Sequence, residues 1–245
     1  MKKVLIDLKN ISFSTQNNNI LRNINLSINH GDKIALLGKS GAGKTTLISI
    51  INGTLKESGG SYKIYDKNFK TLTKEEKKSI GTIWQDLRLI EDFSAEQNVN
   101  CGLLGRKGFI FAIKNLFNMC SFKEAHKSMR VLKLERSIFD KSIKIISGGE
   151  KQRVAIARTM IQRPYILLAD EPFNNLDPKI TTQLKDIFLN KKFISNFKTP
   201  ETILVSLHRL DLLDGFNKVI GLKNGKIMFN LKKENLGNYH LNKIF

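Results

Sequence analysis

Residues 33–51 read Lys33-Ile34-Ala35-Leu36-Leu37-Gly38-Lys39-Ser40-Gly41-Ala42-Gly43-Lys44-Thr45-Thr46-Leu47-Ile48-Ser49-Ile50-Ile51. A short apolar run suited to a buried strand leads into Gly-x-x-x-x-Gly-Lys-Thr, and a helix-length apolar run follows. The glycines let backbone N–H groups turn inward around phosphates. Lys44 can reach the β- and γ-phosphates, and the Thr45 hydroxyl is placed to ligate Mg²⁺. Gly38, Lys39, Ser40, Gly41, Ala42, Gly43, Lys44, Thr45 and Thr46 are therefore the candidate phosphate cradle. Further along, Ile166-Leu167-Leu168-Ala169 ends in Asp170-Glu171. A carboxylate closing a buried strand is costly to leave alone, so Asp170 is assigned to Mg²⁺ through water. Glu171 is assigned to polarising the attacking water. These two segments imply binding and hydrolysis of ATP.

Composition narrows the setting. With 245 residues, 41% of them hydrophobic, the chain can bury one large core. Cys101 and Cys120 make no disulfide framework and have no metal-ligand spacing, which fits a reducing compartment. The apolar stretch after Lys2 and Lys3 breaks at Asp7, too early for a secretory signal, and no run reaches membrane-spanning length. The chain is thus expected not to cross a membrane by itself. A formal net charge of +19 would suit a nucleic-acid binder. The lysines are dispersed, however, and the densest cluster, Lys74 to Lys78, is interrupted by Glu75 and Glu76 as on a solvated helix face. With no interleaving of aromatics and arginines, nucleic acid is set aside in favour of an anionic membrane face.

Along the chain, Val4 to Phe13 and Ile20 to Ile28 alternate around the turn-rich Gln16-Asn17-Asn18-Asn19, which predicts an antiparallel hairpin. Ser58-Gly59-Gly60-Ser61 reads as a turn leading into a strand over Tyr62-Lys63-Ile64-Tyr65. From about Ser94 to Lys141 the pattern is helical: Phe109, Ile110, Ile113, Leu116 and Phe117 recur at one-face spacing and are expected to pack this lobe. Thr202-Ile203-Leu204-Val205 joins Ile166 to Ala169 as a second buried parallel strand, with a helix over Pro178 to Phe188 between them. Lys191 to Pro200 reads as a surface connection.

Ser147 followed three residues later by Glu150 is a capping box, with Val154, Ile156, Ala157 and Met160 continuing the helix. Gly148 and Gly149 just inside that start weaken the helix by roughly 1 kcal/mol each, so they need another purpose. Bare N–H groups at a positive helix end beside Ser147 make a second phosphate-binding surface. Two such surfaces for one triphosphate suggest sites shared between two subunits.

These motifs, in this order, resemble the ATP-binding-cassette (ABC) family over nearly the whole chain. They are the loop Gly38 to Thr45, Gln85 after a strand, the signature Ile146 to Glu150, Ile166 to Asp170 with Glu171, the Asn175-Leu176-Asp177 turn, and His208 after a final strand. The resemblance implies an α/β P-loop NTPase (RecA-like) core with an antiparallel β flap and an inserted helical lobe. Residues 1–245 would form one domain, with core 1–90 and 145–245 and the lobe at about 91–144. It implies a head-to-tail homodimer sandwiching two ATP molecules between one copy's phosphate loop and the other's Ser147, Gly148, Gly149 and Glu150. Gln85 would contact Mg²⁺ and the attacking water, His208 the γ-phosphate, and Asp177, otherwise a helix cap, the dimer contact. Two integral-membrane permease subunits and, through them, a periplasmic solute-binding protein are the implied partners. The implied location is peripheral, on the cytoplasmic face of the bacterial inner membrane. Trp84, Asp86, Leu87 and part of Leu89 to Phe93 would receive a permease helix.

Two departures from the family pattern stand out. Ile146 and Glu150 replace the usual Leu and Gln at the ends of the signature; Glu150 either brings a charge to a nucleotide edge or is taken up by the capping box. Thr15 stands where the family stacks an aromatic ring on adenine, and Phe13, two residues earlier, is expected to face the core. Asn98 to Arg106, the apolar helix after it and Val219 to Ile227 are similar to bacterial phosphonate-import ATPases, with related phosphorus oxyanions such as phosphite included. The alternatives are another ABC transporter, such as an amino-acid importer or lipoprotein exporter, and a soluble ABC-type ATPase acting on nucleic acid or ribosomes.

Overall fold

The computed structural model describes residues 3–16, 18–174, 176–189 and 199–245. Asn17 of the expected hairpin turn, Asn175 of the Asn175-Leu176-Asp177 turn and most of the expected connection before Pro200 lie outside the described residues. The strands are β1 (Val4–Ser14), β2 (Asn19–Asn29), β3 (Lys33–Leu37), β4 (Gly59–Ile64), β5 (Lys67–Asn68), β6 (Ile80–Ile83), β7 (Ile166–Asp170), β8 (Thr202–Leu207), β9 (Lys218–Lys223) and β10 (Lys226–Lys232). The helices are α1 (Lys44–Ile51), α2 (Lys74–Lys78), α3 (Ala95–Cys101), α4 (Leu104–Leu116), α5 (Lys123–Val131), α6 (Gly148–Met160), α7 (Pro178–Leu189) and α8 (Asn238–Ile244). They fall into two compact units. The first comprises 1–80, 166–171 and 201–245, the second 81–165 and 172–200.

In the first unit, β1 and β2 form the expected antiparallel hairpin, and the flap sheet runs β2-β1-β4-β5. Period-two alternation sets its inner face: Ile24, Leu26 and Ile28 of β2 are buried, as is Leu21, while Asn25 and Ser27 face solvent. The expected turn at Ser58 to Ser61 is shorter than its sequence suggests. β4 already begins at Gly59, and Ser61 pairs with Lys9. Tyr65, expected in the strand, instead forms a two-residue turn with Asp66, both with left-handed backbones at φ 55° and 60°.

The second sheet of this unit runs β10-β9-β3-β8-β7. β3 lies parallel to both β8, with Lys33 opposite Ile203, and β9, with Ile34 opposite Lys218. Ile34, Ala35, Leu36 and Leu37 are wholly buried, as a central parallel strand requires. Such runs are legible because both faces must be apolar. α2 is the solvated helix that its Lys/Glu pattern predicts, closed by a Thr73–Glu76 capping box.

In the second unit, α3 begins at a Ser94–Gln97 capping box. The Ser128 hydroxyl of α5 donates to the Ala157 carbonyl of α6 at 3.2 Å. Phe173 packs against Phe188 of α7 at 5.8 Å between ring centroids. The expected role of α4 is not what the structure has. The helix is interrupted at Gly108, and Phe109, Ile110, Ile113, Leu116 and Phe117 face outward, Phe109 being 79% exposed. The lobe is packed by other residues, among them Val99, Ala125, Met129 and Val154. Among the described residues no helix is long and apolar enough to cross a membrane.

Candidate active site

The first unit gathers the phosphate loop, Asp170, Glu171 and His208 at the C-terminal ends of β3, β7 and β8. The chain leaves buried β3, turns through 38–43, and enters α1 at Gly43, whose backbone is left-handed at φ 102°. A Cβ there would lie 2.8 Å from Leu21 Cδ2, so glycine answers both the angle and the approach of β2. Lys39, Ser40 and Gly41 are solvent-facing, Ala42 is buried, and Thr45 and Thr46 keep access to solvent.

Lys44 is buried, and its ammonium donates to the carbonyls of Gly38 at 2.8 Å and Lys39 at 3.1 Å. The same nitrogen lies 3.7 Å from Glu171 Oε1, while Glu171 Oε2 lies 3.7 Å from His208 Nδ1. Glu171 therefore sits between a fixed cation and an exposed imidazole. Its backbone is left-handed at φ 48°, an uncommon conformation for a non-glycine residue and one found at functional positions.

Asp170 is almost wholly buried, and both its oxygens are engaged. Oδ2 accepts from the Thr45 hydroxyl at 2.5 Å, and Oδ1 accepts from the Ser206 hydroxyl at 2.5 Å. Ser206 Oγ in turn accepts from the Glu171 N–H at 2.9 Å. Ser206 is thus a functional candidate that sequence reasoning misses. The signal is present: a serine inside the otherwise apolar Thr202–Leu207 run, in register with Asp170.

Thr45 Oγ1 and Asp170 Oδ2 converge as two hard oxygen donors, the set that suits Mg²⁺. Among the described residues no group of three or more His, Cys, Asp or Glu gathers elsewhere to hold a metal. A cation at Thr45 would complete its shell with phosphate oxygens and water, the usual arrangement for Mg²⁺ beside a triphosphate.

Gln85, the signature residues and Asp177 belong to the second unit. Gln85 lies exposed in the turn that follows β6. That turn has left-handed backbones at Leu87 (φ 58°) and Arg88 (φ 46°), and the Arg158 guanidinium donates to both their carbonyls. Burial pushes the Arg158 pKa down. Arg88 stacks on the Trp84 ring at 3.5 Å, and Asn98 brackets Ile90, accepting from its N–H at 2.8 Å and donating to its carbonyl at 2.9 Å. Arg158 and Asn98, which shape this segment, also escape sequence reasoning.

The signature serine caps α6 as expected. Glu150 Oε2 accepts from the Ser147 N–H at 2.7 Å and from its hydroxyl at 2.8 Å. These bonds, the backbone one foremost, hold the Glu150 carboxyl below the usual range. Glu150 is taken up by the capping box that its spacing from Ser147 predicts. Asp177 caps α7, its Oδ1 accepting from the Ile180 N–H at 2.9 Å. Thr15 lies in the exposed turn after β1, and Phe13 is half-buried rather than part of the core.

A family model described as ABC transporter matches residues 21–174. A phosphonates import ATP-binding protein, PhnC, of Fusobacterium nucleatum subsp. nucleatum is 36% identical over 99% of this chain and 98% of its own. A lipoprotein-releasing system ATP-binding protein, LolD, of Rickettsia typhi is 34% identical over 92% of this chain and 98% of its own. Among solved structures, the dimeric ATP-binding cassette MJ0796 in a post-hydrolysis state bound to ADP and Pi superposes with a TM-score of 0.76 at 27% identity. The match covers 93% of this chain and 98% of that one.

Proposed function

This chain belongs to the ABC transporter family of ATP-binding cassettes, and from that premise we propose that it powers the uptake of phosphonates or related phosphorus oxyanions by hydrolysing ATP. The observation that carries the substrate assignment is the full-length similarity to a phosphonate-import ATP-binding protein. The lipoprotein-releasing relative supports a second reading, export of lipoproteins, at nearly the same identity.

In the proposed mechanism, Lys44 places its charge on the β- and γ-phosphates while backbone N–H groups of 38–46 cradle them. Mg²⁺ at Thr45, held by Asp170 through water, would supply neutralisation of the phosphate oxygens. Glu171 accepts the proton of the attacking water, and His208 donates to the γ-phosphate. Gln85 would be a further residue to hold the cation and the water, which would link hydrolysis to the segment over 84–93. Ser147, Gly148, Gly149 and Glu150 of a second copy close over the nucleotide, with the positive end of α6 facing it. The two units act as one cassette domain, the chain is a homodimer, and two permease subunits hold it at the cytoplasmic face of the inner membrane. A periplasmic solute-binding protein delivers the substrate, and nucleic acid has no part.

The test is ATP hydrolysis by the complete complex in vesicles. A phosphonate-loaded solute-binding protein should accelerate it severalfold over the unloaded protein. Stimulation by an amino-acid-loaded binding protein instead, or by lipoprotein with no binding protein present, would remove the phosphonate assignment and leave the ATPase reading standing.

A further inference from the structure

The outward stripe of α4 has no part in the mechanism above. Phe109, Ile110, Ile113, Leu116 and Phe117 lie within one side of a helical wheel and are all exposed, and Met119 just beyond is 72% exposed. A helix face of this kind is normally buried, and a contiguous exposed apolar patch marks an interaction site.

Two features fix the face outward. Asn115, on the opposite side of the wheel, is buried and exchanges bonds with Gln97 of α3. Its Nδ2 donates to the Gln97 carbonyl at 3.0 Å, and Gln97 Nε2 donates to the Asn115 carbonyl at 2.8 Å. The helix is therefore moored to the lobe through an amide, and the stripe is left facing solvent. The second feature is Gly108, at φ 77° and ψ −168°, a backbone region essentially confined to glycine. It breaks the helix immediately before Phe109, so residues 109–116 take a direction of their own.

The charge around the stripe says what could cover it. Residues 104–134 carry seven lysines and arginines against the single acidic residue Glu124, a net of +6. Lys114, Lys123 and Lys127 are solvent-facing. Protein interfaces are depleted of lysine at their centres, whereas an apolar stripe bordered by lysines is the pattern of a helix lying in a membrane interface. The cytoplasmic leaflet of a membrane is anionic, and each basic residue near it adds about 1 kcal/mol of attraction.

We propose that α4 docks directly on an anionic lipid bilayer, with Phe109, Ile110, Ile113 and Phe117 entering the boundary between headgroups and acyl chains and Lys114 meeting lipid phosphates. A two-turn stripe gives reversible attachment, so it orients a chain held by other contacts as well. The docking does not depend on which solute is transported.

The purified full chain is sedimented with phosphatidylcholine vesicles containing about one third phosphatidylglycerol, and with phosphatidylcholine alone. Wild type should partition onto the anionic vesicles. Ile113→Ser with Phe117→Ser, which leaves the net charge unchanged, should weaken that partition about tenfold while keeping ATP hydrolysis and the circular dichroism spectrum. Phe109→Trp gives a second reading on a folded chain: its emission should shift to shorter wavelength on adding anionic vesicles, against the constant signal of Trp84. Equal partition of the double serine variant, no shift from Phe109→Trp, or failure of the wild type to bind anionic vesicles would each overturn the proposal. So would a wild-type dimer in the absence of vesicles that the serine pair converts to monomer, because a second copy would then be the occupant.

Discussion

A single hydroxyl joins the two carboxyl-bearing residues of the candidate active site. Ser206 donates to Asp170 and accepts from the Glu171 N–H, so it fixes both the carboxylate beside Thr45 and the left-handed backbone of Glu171. Ser206→Ala removes the bond to the buried Asp170 Oδ1 and the one to the half-buried Glu171 N–H, at about 1–3 kcal/mol. If that loss falls on the transition state, kcat drops roughly five- to hundredfold with nucleotide affinity nearly unchanged. Ser206→Thr, which keeps the hydroxyl, should recover part of the rate. Steady-state hydrolysis beside nucleotide titration checks this, and an unchanged kcat in the alanine variant would assign Ser206 to packing alone. The phosphate loop, Asp170, Glu171, Ser147 and Glu150 are all legible in the chain because each follows a local rule, either a loop spacing, a strand end or a cap. Ser206 follows none. Its role comes from parallel register with a residue 36 positions earlier, which no local window contains.

At the scale of elements, the segment after β6 takes its shape from α6. The Arg158 fork bridges the carbonyls of Leu87 and Arg88, adding two charge-assisted bonds to the local ones that their left-handed backbones make to Trp84 and Asp86. Arg158→Lys substitutes one compact ammonium for a planar fork and cannot reproduce both bonds at the same geometry. Hydrogen exchange over 84–90 should then accelerate about tenfold, the equivalent of one lost charge-assisted bond, with the phosphate loop unaffected. Unaltered exchange would show that the turn holds itself. This also marks where sequence reading stops: periodicity reports which residues share a face and not what that face meets. Phe109 to Phe117 have the spacing of a buried helix, yet one amide, Asn115, turns that face to solvent. In β3, β7 and β8 the ambiguity does not arise, because both faces are apolar and both are covered. The ring of Tyr65 suits a strand, whereas the two-residue turn to β5 decides its backbone.

For the molecule as a whole, the candidate chemistry is divided between units. Lys44, Glu171 and His208 belong to the first, Ser147 to Glu150 and Gln85 to the second. If two copies complete each site, Glu171→Gln should accumulate as a dimer in MgATP, and Ser147→Ala in the same background should return it to monomer. Sizing at several protein concentrations measures both, and a Glu171→Gln chain that stays monomeric throughout counts against the shared site. The strand order carries a different consequence, one concerning synthesis. β3 leaves the ribosome early, but its neighbours β8 and β9 are encoded far downstream, with Lys33 opposite Ile203 and Ile34 opposite Lys218. At ribosomal elongation rates of about 5–20 residues per second, Ile34 to Leu37 wait roughly 8–34 s for the strands that will cover their edges. During that interval an apolar core strand with both edges unpaired is a nascent-chain liability, so yield in the cell should depend on chaperone supply long before any nucleotide is bound.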